Sequence, residues 1–339
     1  MRKIKVAAMG VEHRHIFGQL KGMLDLDCEC IGWWNDGDNK ITQDFKNKYP
    51  AIPRFEKKNH ILDNSDVDLI LIADIPVKRA SLAIECMNAG KDVMLDKPGC
   101  TTLEQLKNIE NTIKKTGRIF SIDFSERFEV PSVQVAYNLI QDGEIGDVVQ
   151  TIGMGPHRLN ISTRPDWFFD DEKYGGILCD IASHQIDQFM YFTESKSAQI
   201  ISSSVGNFAN KEHTKFQDFG EILIRSDKAQ GYIRVDWYTP DALPNWGDGR
   251  LTILGTEGYI ELRKYVDVAG RNGTDHLFLV NNSRCEHIDS SNEPLTYFIK
   301  LKNDIINRTD TAMKQKHCLK VMELAINAQT LSNKLGYLE

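Results

Sequence analysis

The chain has no CxxC pair, no long apolar run, no dense basic stretch and no internal repeat, and each absence removes a class of protein. Its seven cysteines are scattered at 28, 30, 86, 100, 179, 285 and 318 without paired metal spacing, so neither a zinc module nor a disulfide scaffold is expected. Free, mostly structural thiols suit a reducing compartment. No apolar stretch approaches the length of a membrane span. The N-terminal MRKIKVAAMGVEH has a short apolar run that ends in glycine and lacks a small-residue cleavage pattern, so it reads as a first strand. A soluble, cytoplasmic protein is the expectation. Lys and Arg total 41 against 48 Asp and Glu, a formal net charge of -7, and nothing basic is arranged to follow a phosphate backbone. Nucleic acid and membrane are therefore not expected partners.

What is present suits two domains, since 339 residues exceed one ordinary core. Over residues 1–124 short apolar runs alternate with helical patterns: IKVAAMG, CECIGWW, VDLILIAD, KDVMLD and RIFSIDF are the strand candidates. Near-continuous apolar strands separated by helices indicate a parallel sheet covered on both faces, a doubly wound nucleotide-binding domain of Rossmann type. From 125 to 339 the rhythm changes. Helical patterns near 131–142 and 175–192 bracket one strand candidate, DVVQTIGMG at 147–155; further strand candidates joined by short turns follow, from AQIISSSVGNF to DHLFLVN, and helices near 293–307 and 312–334 close the chain. That pattern predicts an α+β domain with a large, mostly antiparallel open sheet, for substrate binding and oligomerisation, with the last helix free to return to the first domain.

At the turn after the first strand a dinucleotide fold normally carries GxGxxG. Here Ala8, Gly10 and His13 stand at those places, so only the glycine at the closest phosphate approach is kept. Asp36, beside Asn35, closes the second strand at the distance where a carboxylate binds both ribose hydroxyls; it repels a 2′-phosphate, which favours NAD over NADP. His13, with Arg14 and His15 beside it, is either an exposed loop residue or a donor to the pyrophosphate. Lys97 ends the fourth strand in VMLDKPG, where ligands sit in open α/β sheets, and Pro98 restricts the direction in which it leaves. It is either a solvated loop lysine or a donor to a substrate hydroxyl.

YGGILCDIASH, residues 174–184, places Asp180 and His184 four apart on a helix whose remaining face is apolar, in a stripe continued by Asp187 and Tyr191. A satisfied core network, a shared metal ion and proton transfer are all open to such a pair. Gly175 and Gly176 would let a flat ring come close.

The degenerate turn, the acidic residue after strand two, the DKP strand end and a GGxxxDxxxH helix together resemble the glucose-fructose oxidoreductase/inositol dehydrogenase (Gfo/Idh/MocA) family. ECMNAGKDVMLDKP, the SERF segment around Arg127, RPDW at 164–167 and ILGTEGYIEL add to the likeness, which runs essentially end to end. The resemblance implies a catalytic lysine, aspartate and histidine at the domain interface, mapping onto Lys97, Asp180 and His184, with no metal. It implies hydride transfer between a nicotinamide and a sugar, polyol or glycoside carbon, with Lys97 or His184 handling the hydroxyl proton. The working assignment has His184 as general acid/base, Lys97 polarising the oxygen and relaying its proton, and Asp180 orienting the pair; the two proton roles can be exchanged. Gly10, His13, Asp36, Asp74, Asp96 and Lys97 are the expected cofactor contacts, NAD the preferred cofactor and NADP the alternative.

Three departures from the family pattern stand out. Asp96 replaces the usual Glu, Asp74 and Arg79 stand at the usual Thr and His positions, and two turn glycines are missing. On the substrate side His157, Arg158, Arg164, Trp167, Trp237 and Trp246 are candidates, because indole faces stack on sugars and guanidinium supplies fixed donors; His157, Arg164 and Trp167 are preferred, and Trp237 reads as packing. Transient oxidation driving glycoside cleavage and a non-catalytic dinucleotide sensor are the competing functions. The open sheet face predicts a homodimer or homotetramer.

Overall fold

In the computed structural model, which describes residues 3–338, the chain divides into two compact units: Met1–Asp123 with Thr296–Leu319, and Phe124–Leu295 with Lys320–Glu339. The second boundary differs from the simple division expected at 124/125, because Thr296–Leu319 joins the first unit.

The first unit is built on five parallel strands: β1 (Lys5–Val11), β2 (Glu29–Trp34), β3 (Leu69–Ala73), β4 (Asp92–Asp96) and β5 (Phe120–Asp123), in the order β2-β1-β3-β4-β5. Every residue of β3 and β4 is buried, as strands covered on both faces must be. The connecting helices start and stop where the sequence supplies the chemistry. Asn39 and Thr42 cap each other reciprocally at the start of Lys40–Lys48, Pro76 opens Pro76–Asn88, and Thr102 accepts from the Gln105 amide at the start of Leu103–Thr116. Gly117, at φ 64°, ends that last helix in the left-handed conformation. Strand order reverses between β1 and β3, so their carboxyl ends form the switch point where α/β sheets bind ligands.

The helix Tyr297–Asn307 belongs here for specific reasons. Tyr297 shares a 2.8 Å hydrogen bond with Ser121, Lys302 donates to the Leu26 carbonyl at 2.7 Å, and Arg308 holds buried Asp92 through two bonds, at 2.5 and 3.0 Å.

The second unit is a nine-stranded sheet: β6 (Val148–Pro156), β7 (Gln199–Asn207), β8 (Phe219–Arg225), β9 (Gln230–Asp236), β10 (Arg250–Gly255), β11 (Gly258–Arg263), β12 (His276–Asn281), β13 (Cys285–Asp289) and β14 (Asn333–Gly336). The order is β13-β12-β11-β10-β6-β9-β8-β7-β14; only β6–β9 and β7–β14 pair in parallel. One face is core: Leu251, Ile253, Ile260, Leu262, Leu277 and Leu279 pack with the helix Pro131–Gln141. On the other face Leu223, Tyr232 and Ile152 lie side by side in register. All seven cysteines are free, and no helix among the described residues is long and apolar enough to cross a membrane.

Candidate functional site

The switch point of the first unit gathers several of the expected cofactor residues. Gly10 has φ 72°, and a Cβ there would lie 2.5 Å from the Asp74 Cβ, so both backbone and packing demand glycine. Asp74 follows β3 and accepts from the Ile75 amide at 2.7 Å; burial pushes its carboxyl up. The Val11 amide donates to Asn35 Oδ1 at 2.6 Å, and Asn35 Nδ2 donates to Glu12 at 2.7 Å. Asn35 is thus a structural tie between β1 and β2, whereas Asp36 is exposed at the end of β2. Arg54, which sequence reasoning missed, reaches the same end: it lies over Trp33, donates to the Gly37 carbonyl at 2.8 Å and pairs with Asp38.

Asp96 is the hub of the turn, buried at the end of β4. His13 Nδ1 lies 2.9 Å from Oδ2, His15 Nδ1 lies 2.7 Å from Oδ1, and Arg79 Nη2 donates to Oδ2 at 2.8 Å. His13 is therefore engaged rather than an exposed loop residue. Burial, opposed by Asp96, brings its imidazole down to about 4, so it is neutral near pH 7. Burial disfavours the Asp96 anion, yet Arg79 and the two imidazoles outweigh it and hold the carboxyl well below its usual range. The guanidinium of Arg79 also binds the Asp74, Lys97 and Pro98 carbonyls, so it fixes the turn from which Lys97 leaves β4. Lys97 is itself buried, not solvated.

In the second unit the GGxxxDxxxH stretch is two helices, Ile177–Asp180 and Ala182–Phe192, with Ile181 between them. Gly175 and Gly176 take φ of 87° and 80°. A Cβ on Gly176 would meet the Gln329 side chain, so that space belongs to the protein and not to an approaching ring, contrary to expectation. Gln329 accepts from the Leu178 amide at 3.1 Å and Gln217 from the Ile177 amide at 2.9 Å, two side chains capping the first turn.

The predicted polar stripe divides. Asp187 is gripped by Arg127 at 2.6 and 2.8 Å, and Tyr191 stacks on Tyr137 beneath the same guanidinium. These two hold the helix in place. Asp180, the last residue of the first helix, and His184, in the first turn of the second, are both buried. Arg164 lies within electrostatic reach of Asp180, with its guanidinium 4.4 Å from the Phe168 ring and 5.0 Å from Trp237. His184 meets Phe124 edge-on at 6.0 Å.

Within electrostatic reach of His184 is a pair that spacing could not reveal. Lys264 Nζ donates to Glu126 Oε2 at 2.9 Å and Gln185 Nε2 to the same oxygen at 2.8 Å, all three residues buried. Burial alone would raise the Glu126 carboxyl, but Lys264, with His184 and His157 within electrostatic reach, brings it to about 2. Glu126 lies in the SERF segment, where only Arg127 drew attention. His157 Nδ1 donates to the Gly155 carbonyl at 3.1 Å, with its ring 4.6 Å from Trp246. Arg158 instead holds the 240–243 loop through the Pro240 and Leu243 carbonyls. Trp167 is buried against Phe168, and Trp237 lies in an aromatic cluster with Phe168 and Phe216.

Residues 26–124 match the family described as "Oxidoreductase family, NAD-binding Rossmann fold", and residues 133–261 match the GFO/IDH/MocA C-terminal domain. The chain is similar to a crystal structure from Erwinia carotovora atroseptica SCRI1043 assigned to the oxidoreductases, at 42% identity and TM-score 0.95 over 98% of this chain and 99% of that one. Levoglucosan dehydrogenase in complex with NADH shares the fold, with TM-score 0.73 and 17% identity over 98% of both chains. Among curated proteins, scyllo-inositol 2-dehydrogenase (NAD(+)) of Bacillus subtilis is 25% identical over 211 residues, 60% of this chain and 58% of that protein. Oxidoreductase YrbE of the same organism is 22% identical over 71% of this chain and 65% of its own length, so the match spans less than two thirds of either curated relative.

Proposed function

Because the chain belongs to the GFO/IDH/MocA oxidoreductase family, we propose that it is a dehydrogenase or reductase moving hydride between a nicotinamide and a hydroxyl-bearing carbon of a sugar, polyol or glycoside. The observation that carries this reading is the buried His184 within the field of the buried Glu126 carboxylate, on a helix whose register is held by Arg127 and Asp187. A buried anion nearby stabilises an imidazolium, which suits a histidine that accepts a proton and returns it.

Oxidation of an alcohol carbon releases a hydride and a proton. The dinucleotide, when bound, supplies the hydride chemistry; Gly10, His13, Asp36, Asp74, Asp96 and Lys97 are the residues assigned to hold it, and the Cβ-free approach at Gly10 fits a phosphate passing close to the backbone. Exposed Asp36 favours NAD over NADP. His184 takes the hydroxyl proton, Lys97 polarises the oxygen and relays, and Asp180 orients the pair. Arg164, within electrostatic reach of Asp180, and His157, within electrostatic reach of Glu126, are the preferred substrate contacts, with the indole of Trp167 as a stacking face.

The enzyme acts on a small molecule in the cytoplasm, where seven free thiols persist, and assembles as a homodimer or homotetramer through the sheet face bearing Leu223, Tyr232 and Ile152. A panel of sugars and polyols, followed by nicotinamide absorbance, tests the activity. His184→Asn and Lys97→Met are each expected to lower kcat by roughly 100-fold or more. Near-normal turnover in either variant removes that residue's role, and release of aglycone without net reduced nicotinamide would select glycoside cleavage instead.

A further inference from the structure

Three positions at which the sequence departs from the family pattern converge on one point of the first unit. His13 is bulky where the turn normally has glycine, Arg79 stands where histidine is usual, and Asp96 is one methylene shorter than the usual Glu. In the structure all three are bonded together, and His15 joins them. We infer that, in the chain free of dinucleotide, His13, His15 and Asp96 form a binding site for a divalent transition metal of the zinc class, with Arg79 fixing the carboxylate from behind; since His13 and Asp96 are also assigned to the dinucleotide, metal and cofactor compete for them.

The donor set supports this choice. One ligand atom from each of the three residues can be taken so that all lie within 4.8 Å of one another. Two imidazole nitrogens and one carboxylate oxygen suit Zn²⁺, Co²⁺ or Ni²⁺, whereas Mg²⁺ and Ca²⁺ prefer sets made wholly of oxygen. Zinc lies about 2.0–2.2 Å from nitrogen and oxygen ligands, which places tetrahedral neighbours about 3.4 Å apart. His13 Nδ1 stands 2.9 Å from Asp96 Oδ2 and His15 Nδ1 2.7 Å from Oδ1, so to admit the ion the nitrogens must move outward by about 0.5 and 0.7 Å from the oxygens they now face.

Charge balances without a co-reactant. Each Nδ1 that gives up its proton to ligate can carry one on Nε2, so a neutral ring stays neutral and Asp96 remains the anion. The rings stand edge to face, 4.4 Å between centroids. Asp96 is sealed, but the side chains of His13 and His15 are 20% and 41% exposed, which gives an ion a route in and leaves the fourth position to water. Arg79 plays the part of an outer-shell partner, orienting the ligating carboxylate; its charge lowers affinity relative to the same ligands without it.

The test is metal titration of the full chain after chelator treatment, by calorimetry with Zn²⁺ and by visible absorption with Co²⁺. One equivalent is expected, with the bands of a tetrahedral nitrogen and oxygen set and no sulfur charge-transfer band. His15→Ala should weaken binding at least tenfold, while His60→Ala and Cys285→Ser, both at exposed positions, leave it unchanged. Asp96→Asn also removes the Arg79 partner and can unfold the turn, so the partly exposed His15 is the deciding position, checked for folding by circular dichroism. The proposal is overturned by an absence of stoichiometric binding, by full affinity in a folded His13→Ala/His15→Ala variant, or by a thiolate spectrum.

Discussion

Lys264 Nζ stands 2.9 Å from Glu126 Oε2, with both side chains sealed from solvent and Gln185 bonded to the same oxygen. The pair is 138 residues apart in the chain, and Gln185 ties it to the helix that carries His184. A buried ion pair contributes little net stability over an apolar substitute, but removing one partner leaves an uncompensated charge. Lys264→Met is therefore expected to destabilise the second unit by about 3–5 kcal/mol in urea unfolding. Lys264→Met/Glu126→Gln should regain a large part of that loss. If the single variant unfolds within about 1 kcal/mol of wild type, the pair is not the uncompensated buried charge described here.

The same carboxylate gives acid stability a definite sign. Glu126 is depressed from its ordinary 4.5 to about 2, so its contribution is fully present above about 4.5 and is lost as pH falls through about 2. Glu126→Gln should flatten the pH dependence of unfolding in that window. It also withdraws negative charge from the surroundings of His184, so the acid limb of kcat/KM should move to lower pH. A limb that stays in place while kcat falls would make Glu126 a packing residue only.

Gly176→Ala probes the cap ahead of the site. The substitution faces two penalties, a φ of 80° and the Gln329 side chain in the Cβ position. A loss of about 2–4 kcal/mol is expected, combining backbone strain with the clash. Adding Gln329→Ala relieves the clash but keeps the strain and leaves the Leu178 amide without its acceptor, so recovery should be partial. Full recovery would mean that backbone strain contributes nothing.

Local pattern was enough to place the five parallel strands, because β3 and β4 are apolar without interruption and the helices between them carry their own caps. It also placed β6 to β12 through alternation. It missed β13 and β14, which are short, exposed edge strands with little apolar signal. Helical periodicity joined what Ile181 separates and drew Asp180, His184, Asp187 and Tyr191 as one stripe, although Arg127 claims the last two. Long-range partners have no local signature: nothing near Glu126 announces Lys264, nothing near Asp36 announces Arg54, and the return of Thr296–Leu319 rests on Asp92 and Ser121 far upstream. The convergence of His13, His15 and Arg79 on Asp96 was hidden for the same reason, though each was conspicuous alone.

Cofactor choice turns on the end of β2. Asp36 is exposed there, and a carboxylate at that place accepts from ribose hydroxyls and repels a 2′-phosphate. Arg54 brings a guanidinium to the same loop, but its donors are committed to the Gly37 carbonyl and to Asp38. Asp36→Ser should raise the ratio of kcat/KM for NADP to that for NAD by about tenfold, equivalent to about 1.4 kcal/mol. Asp38→Asn added to it loosens Arg54 and should carry the ratio further, since a released guanidinium can pair with the 2′-phosphate. Steady-state kinetics with both dinucleotides decides the matter. An unchanged ratio in Asp36→Ser would place the ribose away from β2, and a ratio unmoved by the second substitution would leave Arg54 a structural clamp alone.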